Sequence, residues 1–234
     1  MKSAFLLTVA ALAPAVLAAA PESSTPPPFQ SGETLRYEVV WPSGLTLGEA
    51  EFRAQADTGA WAFTAELTAS LPNFEIEELH HARTDGSLCS IELQKSSSRG
   101  AEKTEETVTF DQTNNTAERV TSGGGGESEI QTPPCARDAL TFLYHLRHDL
   151  ARGRIPPPDD INFGSQYAVI VTYAETRKVE AAGRSWDADR LLIDVAGPAS
   201  NHSFEVFVSQ DASRKPLIVR VPFDLGTFSL RLVE

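Results

Sequence analysis

Cysteine is scarce in this chain of 234 residues, which contains only Cys89 and Cys135. A pair is the smallest possible disulfide framework, and it leaves three alternatives: one disulfide, two free buried thiols or a catalytic thiolate. No histidine lies near either cysteine in the sequence to activate a thiolate. An oxidising compartment would favour the disulfide, for which the chain-entropy model gives an upper value of about 4 kcal/mol.

Long apolar runs are also missing after Val16, so we expect a mature chain that does not span a membrane. The apolar run that does exist, from Ala4 to Ala13, follows Lys2 and precedes small residues. This layout is typical of a secretory signal peptide, here over residues 1–18, with no cysteine following that would mark a lipoprotein. The sequence therefore predicts a periplasmic protein, or a secreted one if the cell has no outer membrane.

The exported part divides into a tether and a domain. Residues 19–33 are rich in Pro, Ser and Gly, a composition that predicts an extended tether. The remaining length, residues 34–234, is compatible with a single β-rich domain.

Basic residues are outnumbered, with 20 Lys and Arg against 32 Asp and Glu and a net charge of −12. Negative charge repels phosphate backbones and anionic lipid headgroups. Nucleic acid is therefore excluded as an expected partner.

Catalytic motifs are missing as well. The sequence has no Gly-x-Ser-x-Gly elbow, and the glycine run 122-SGGGGES-128 is not followed by Gly-Lys-Ser/Thr. His80 and His81 are adjacent in a predicted strand, so their side chains should lie on opposite faces. No cofactor, no metal and no catalytic residue are predicted.

What the sequence does contain is period-two alternation of apolar and polar residues, which is typical of half-buried strands. Leu35, Tyr37 and Val39 share one face, and Gly48 is a candidate for a β-bulge. Eleven strands are predicted, at 34–41, 45–54, 61–69, 74–83, 89–97, 105–112, 166–174, 190–196, 203–210, 216–223 and 226–233. The sequence thus indicates a mainly β fold.

One segment, residues 138–150, has helical periodicity instead. Pro133 and Pro134 precede it, and Gly153 follows. The predicted packing face consists of Ala139, Phe142, Leu143, Leu146 and Leu150, with Leu140 and Tyr144 at its flanks. His145 and His148 fall on the opposite face beside Thr141, so we expect solvated histidines rather than metal ligands.

Four quoted segments resemble the bacterial domain of unknown function 3108 family of exported proteins. They are 32-GETLRYEVVWPSGLTLGEAEF-52, 99-RGAEKTEETVTFDQ-112, 138-DALTFLYHLR-147 and 209-SQDASRKPLIVRVPFDLGTFSLRL-232. The matching residues are Gly32, Glu33, Tyr37, Trp41, Gly48, Phe110, Asp111, Asp138, Leu140, Tyr144, Arg147, Asp211, Pro216 and Gly226. The resemblance places both cysteines beside matched segments, which favours the Cys89–Cys135 disulfide.

The resemblance implies an antiparallel β architecture with one inserted helix and implies no activity. We expect a curved antiparallel sheet or incomplete β-barrel whose concave side the helix at about 138–150 covers. The expected function is non-catalytic binding of a lipid-like, glycan or peptide ligand or of a partner protein in the cell envelope. The alternatives are a metal-assisted hydrolase that uses His145, His148 and carboxylates, and a structural or assembly factor without a small ligand.

Overall fold

The computed structural model describes residues 26–71, 74–123, 125–162, 164–198, 200–223 and 226–234. The predicted signal peptide and the first part of the predicted tether lie outside the described residues. The described end of the tether is part of the fold, because Phe29 is only 2% exposed. The described residues just before β1 therefore pack with the domain, because the Phe29 ring anchors them in the core.

The described residues form fifteen strands and one helix. In chain order the strands are β1 (Glu33–Val40), β2 (Thr46–Asp57), β3 (Ala60–Leu71), β4 (Phe74–Asp85), β5 (Ser90–Arg99), β6 (Glu102–Asp111), β7 (Thr116–Thr121), β8 (Gly126–Gln131), β9 (Arg137–Asp138), β10 (Asp159–Asn162), β11 (Gln166–Ala181), β12 (Arg184–Ala196), β13 (Asn201–Ser209), β14 (Pro216–Phe223) and β15 (Gly226–Leu232). The helix α1 (Ala139–Ala151) lies between β9 and β10.

All fifteen strands belong to one open sheet, in the order β8-β7-β6-β5-β4-β3-β2-β1-β15-β14-β13-β12-β11-β10-β9. Neighbouring strands are antiparallel except β9 and β10, which pair in parallel through Ile161 and Arg137. A curved sheet that does not close into a barrel, with one inserted helix, confirms the predicted fold. The parallel pair arises because α1 connects β9 to β10 as a crossover.

Four strands were missing from the prediction: β7, β8, β9 and β10. The strand β8 reads GESEIQ, with exposed residues on both faces, so it has no alternation to detect. It pairs with β7 as a hairpin, near whose turn Gly123 and Gly126 have positive φ angles of 79° and 75°. The strands β9 and β10 span only two and four residues, too few for any periodicity.

The helix lies inside the curve of the sheet and contacts two apolar clusters. The first cluster consists of Phe29, Ala54, Phe63, Ala82, Leu88, Leu93, Val108, Phe110, Ala117, Ala136, Leu140 and Tyr144. The second consists of Phe142, Leu146, Leu150, Ile161, Tyr167, Val169, Val171, Leu191, Ile193, Val206 and Val208. No helix in the described part of the chain is long and apolar enough to cross a membrane.

A third apolar cluster joins the two ends of the domain. It consists of Leu35, Tyr37, Ala50, Ala181, Ala188, Phe207, Leu217, Ile218 and Leu232. β1 pairs with β15 through Tyr37 and Leu232, so the first and last strands lie side by side in the sheet. The burial of Tyr37 raises the pKa of its hydroxyl, which stays protonated and donates a hydrogen bond of 2.8 Å to the Pro216 carbonyl.

The entrance of the helix is fastened to the start of β5. Cys89 and Cys135 form the predicted disulfide, with their Cα atoms 4.7 Å apart. Asp138 caps the helix, and its carboxylate accepts hydrogen bonds from Leu140 N at 2.9 Å and Thr141 N at 3.0 Å. The same carboxylate accepts a bond of 2.6 Å from the Ser90 hydroxyl. The crosslink and the cap therefore hold one end of α1 against the sheet.

Candidate functional site

A buried ion pair joins the middle of α1 to the first residue of β1. The Arg147 guanidinium donates to both Glu33 oxygens, at 2.6 and 2.9 Å, and to the carbonyls of Ser213 and Arg214 at 2.9 and 3.1 Å. The Arg147 side chain is only 1% exposed. Its guanidinium also lies 5.3 Å from the ring centroids of both Phe29 and Tyr144. This arginine is fully engaged by protein groups and is structural.

Other residues shared with the family also occupy structural positions. Asp111 and Asp211 each accept backbone N–H bonds within a turn, from Thr113 at 2.9 Å and from Ser213 at 3.1 Å. A Cβ atom at Gly48 would lie 1.9 Å from the Thr68 carbonyl oxygen, so only glycine fits there. The register also shifts at this point, because Val39 pairs with Gly48 and the next residue pairs with Thr46. The predicted bulge is confirmed.

The predicted orientation of the helix is wrong in part. Phe142, Leu146 and Leu150 are buried as expected, but Ala139 and Leu143 are only partly buried. Conversely, Thr141 is 0% and Asp149 only 3% exposed on the face predicted to be wet. The periodicity argument assumes a single core on one side of the helix, whereas here the sheet curves around it.

His145 and His148 are consequently half-buried rather than solvated. One ligand-type atom from each, together with one from Asp149, lies within 4.8 Å of the others. Burial lowers the pKa of His145 to about 4, and the Arg137 guanidinium adds to this effect while Asp149 and Asp159 oppose it. His145 is therefore neutral at pH 7. We call His145, His148 and Asp149 the helix cluster.

The remaining histidines are placed as the sequence suggests. His80 and His81 point to opposite faces of β4, with His81 Nδ1 3.1 Å from the Thr64 hydroxyl and His80 Nε2 3.7 Å from Glu78 Oε2. His202 Nε2 lies at hydrogen-bonding distance, 2.7 Å, from the Ser200 hydroxyl, and the imidazole ring lies 6.1 Å from the Phe204 ring. The adjacent pair does not converge on one point.

A small polar groove lies on the inner face of the sheet, beyond the first apolar cluster. Its volume is about 270 Å³, and it is lined by Lys95, Ser97, Arg99, Glu102, Thr104, Glu106 and Arg119. The charges are internally paired, with Arg119 Nε 2.7 Å from Glu106 and Arg99 Nη2 2.8 Å from Glu78. Arg119 also donates to the Gly164 carbonyl at 3.1 Å, which ties β7 to the turn before β11. These contacts fix the positions of the charged side chains that line the groove.

Glu78 lies beside this groove and is half-buried. Burial alone would raise the pKa of its carboxyl, but interactions with His80, Ser97 and Arg99 outweigh it and hold that pKa at about 2. Its Oε2 atom is buried without a hydrogen-bond partner among the described residues.

A larger groove, of about 640 Å³, crosses the outer face of β1 to β5. We call it the cross-strand groove. Its floor is a row of paired residues, Tyr37, Ala50, Leu67 and Glu78. One wall is the row Arg36, Glu51, Glu66, Leu79 and Ser96, and the other is the row Glu38, Glu49, Thr68, Glu77 and Ser98. Since Tyr37 and Ala50 point into the core, both walls project from the opposite side of the sheet.

The two walls differ in how their charges are balanced. On the first wall, Arg36 lies 2.8 Å from Glu51, and Arg53 lies 3.0 Å from Glu66. On the second wall, no salt bridge reaches Glu38, Glu49 or Glu77 from any residue that the structure describes. Glu38 and Glu49 are moreover directly opposite each other on adjacent strands. Like charges in this arrangement are destabilising. Arg231 lies opposite Glu38 on β15, but no salt bridge joins the two side chains in the described structure. The second wall therefore carries an excess of negative charge, with one cation at its β15 end.

The chain matches the family described as "Protein of unknown function (DUF3108)" over residues 36–233, and it therefore belongs to that family. No curated protein matches the sequence. The fold resembles that of a β-barrel-like protein of domain of unknown function DUF1849 from Brucella abortus, at a TM-score of 0.63 and 6% identity, covering 86% of this chain and 95% of that one.

Two further solved structures match over similar lengths at much lower scores. A "putative lipoprotein" from Parabacteroides distasonis has a TM-score of 0.35 and 10% identity, covering 88% of this chain and 95% of its own. A "putative exported protein" with a YmcC-like fold from Bacteroides fragilis has a TM-score of 0.33 and 9% identity, with the same coverage. At 6% identity, the likeness to the Brucella abortus protein concerns the fold alone.

The sequence pointed to the histidines and missed the cross-strand groove. The wall residues Glu38, Glu49 and Glu77 come from three separate strands and read individually as solvated positions of alternating strands. The pairing register is what places Glu38 against Glu49 and Glu77 against Thr68. The register between neighbouring strands would have revealed the groove, but the alternation of residues within one strand does not determine that register.

Proposed function

We propose that the protein is exported to the periplasm and binds, without catalysis, a basic extended segment of a partner polypeptide in the cross-strand groove. The observation that carries this proposal is the row of Glu38, Glu49 and Glu77, none of which forms a salt bridge with a described residue, along a groove of about 640 Å³. The signal-like segment over residues 1–18 supports the location.

A lipid-like ligand is disfavoured by the packing of the interior. The helix contributes buried side chains to two of the three apolar clusters, and the 270 Å³ groove on the inner face is lined by charged and hydroxyl side chains. A carrier of acyl chains needs an apolar cavity instead.

The dimensions of the groove suit a short extended peptide. Five strands span about 19 Å, at roughly 4.8 Å between neighbours. An extended chain advances about 3.3 Å per residue, so about six residues would lie along the groove. Lysine or arginine at alternate positions would place cations along the row of glutamates, and each contact would be charge-assisted.

The proposal is tested by binding of fluorescently labelled ten-residue peptides, one with alternating lysines and one with alternating glutamines, measured by anisotropy at 0.15 M salt. We expect the lysine peptide alone to bind. The triple variant Glu38→Gln, Glu49→Gln, Glu77→Gln should weaken this binding at least tenfold.

The matched control is Glu118→Gln, Glu129→Gln, Glu127→Gln, which removes the same charge from β7 and β8. Glu118 and Glu129 are also directly opposed, but these residues are not among those lining the cross-strand groove. Equal loss in both triple variants would show that only overall charge matters. Binding of a neutral oligosaccharide or a detergent in place of the lysine peptide would point to a glycan or a lipid-like ligand.

Location is tested separately by mass spectrometry of the protein from its native host. We expect a periplasmic chain that begins at or near Ala19. An intact cytoplasmic chain that retains Met1 would refute export. The peptide-binding experiment would still stand, because it does not depend on location.

A further inference from the structure

The helix cluster offers three side chains of metal-binding type at a point where α1 meets the loop after it. His145, His148 and Asp149 have the spacing i, i+3 and i+4, which puts all three on one side of a helix. One ligand-type atom from each lies within 4.8 Å of the others. Small rotations of these side chains would bring the three atoms to the roughly 3–3.5 Å separations of ligands around an ion bound at about 2.1 Å.

The protein groups around the cluster leave part of it unsatisfied. The Asp149 side chain is only 4% exposed, and its Oδ1 accepts a bond of 2.7 Å from Arg154. Its Oδ2 lies 3.7 Å from His145 Nε2, which is too long for a hydrogen bond. His145 Nδ1 is buried without a hydrogen-bond partner among the described residues. Asp149 Oδ2 and His145 Nε2 therefore face each other without a hydrogen bond, and an ion between these two atoms would bind both of them.

The charges facing the cluster come from three segments. Arg137 in β9 is paired with Asp159 in β10 at 2.9 Å, and Arg154 after the helix is paired with Asp149. These two guanidiniums and two carboxylates balance each other. The Arg154 side chain is 53% exposed, so it can swing into solvent and leave Asp149 to a cation.

We propose that His145, His148 and Asp149 bind a divalent transition-metal ion of the zinc class, with Arg154 as the competing cation in the unbound state. Two imidazole nitrogens and one carboxylate oxygen suit zinc, and three protein ligands leave a coordination position for water or a partner group. This replaces the sequence-based expectation of solvated histidines, which rested on a wet helix face. It is independent of the cross-strand groove, which lies on the outer face of the sheet.

The test is isothermal titration of zinc chloride into the full chain, purified without a polyhistidine tag and treated with a chelator. We expect about one zinc ion per chain. His145→Ala and His148→Ala should each weaken binding at least tenfold, and both leave the Asp149–Arg154 ion pair in place. The controls His81→Ala and His202→Ala, remote from the cluster, should bind zinc like the wild type.

Arg154→Gln gives a second readout that a purely structural ion pair would not produce. If Arg154 competes with the ion for Asp149, zinc binding should become several-fold tighter in this variant, whereas removal of a structural contact would loosen the site. Circular dichroism checks that each variant is folded. Absence of zinc binding in the wild type, or unchanged binding in the His145→Ala, His148→Ala double variant, would overturn the proposal.

Discussion

Two polar groups lie two residues apart on the same helix, the buried Arg147 and the half-buried His145, and they differ in how completely the protein satisfies their hydrogen-bonding atoms. Around Arg147, both Glu33 oxygens and two backbone carbonyls accept hydrogen bonds from the guanidinium. Around His145, the nearest carboxylate is 3.7 Å away and the buried Nδ1 atom has no partner in the described part of the chain. We call a group saturated when all its hydrogen-bonding atoms have protein partners; such a group stabilises the fold. An unsaturated group has an atom without a partner and can still bind a ligand.

The largest effect should come from breaking the saturated pair. Arg147→Ala leaves Glu33 without its partner, and loss of one member of a buried pair costs about 3–5 kcal/mol. We expect the free energy of unfolding, from urea denaturation, to fall by that amount. Arg83→Ala, at an exposed position of β4, is the matched control.

A double replacement sharpens this prediction. Glu33→Leu with Arg147→Met removes both charges and keeps apolar volume, so it should cost less than Arg147→Ala alone. A loss from Arg147→Ala no greater than that from Arg83→Ala would show that the Arg147 contacts are not structural.

An apolar deletion on the same helix should have a similar or slightly smaller effect. Leu146 is 1% exposed in the second apolar cluster, and Leu146→Ala should cost about 2–5 kcal/mol through lost burial and the cavity left behind. Leu143→Ala makes the same chemical change at a partly buried position and should cost clearly less. Equal costs would support the packing face predicted from the sequence over the one in the structure.

The smallest effect should come from the unsaturated group. In the presence of a chelator, His145→Ala with His148→Ala should lower the free energy of unfolding by only about 1 kcal/mol, because both side chains are half-buried and a hydrogen bond contributes about that much. Zinc at a hundred times its dissociation constant should stabilise the wild type by about 2.7 kcal/mol and leave the double variant unchanged. A large decrease in the free energy of unfolding without zinc would show that these histidines, like Arg147, stabilise the fold.

Much of the architecture was predictable because long alternating strands and one capped amphipathic helix are strong local signals. The strands that were missed are either very short, as β9 is, or polar on both faces, as β8 is. In both cases pairing with a neighbour defines the strand, since β8 pairs with β7 across a hairpin and β9 pairs with β10 across the helix.

The candidate sites were less predictable for a different physical reason. Helical periodicity identifies Leu146 as buried, but it carries no information about a sheet that curves around the far side and also buries Asp149. The rows of the cross-strand groove likewise depend on the register between separate strands, as the opposition of Glu38 and Glu49 shows. Of the residues matched to the family, only Tyr37 lines the cross-strand groove, through its floor, and none belongs to the helix cluster. Glu33, Arg147 and Gly48 serve the fold.

The pairing of β1 with β15 also determines which part of the sheet can form last. A chain that is made or translocated from its N-terminus can assemble β1 to β8 early as a run of hairpins, and domains generally fold in that direction. One edge of β1 nevertheless stays open until the final strand arrives, because Tyr37 is paired with Leu232. An unpaired edge is a template for wrong partners. The centre of this sheet is thus its last part to be completed, and the interval before completion is when the nascent protein most needs a chaperone.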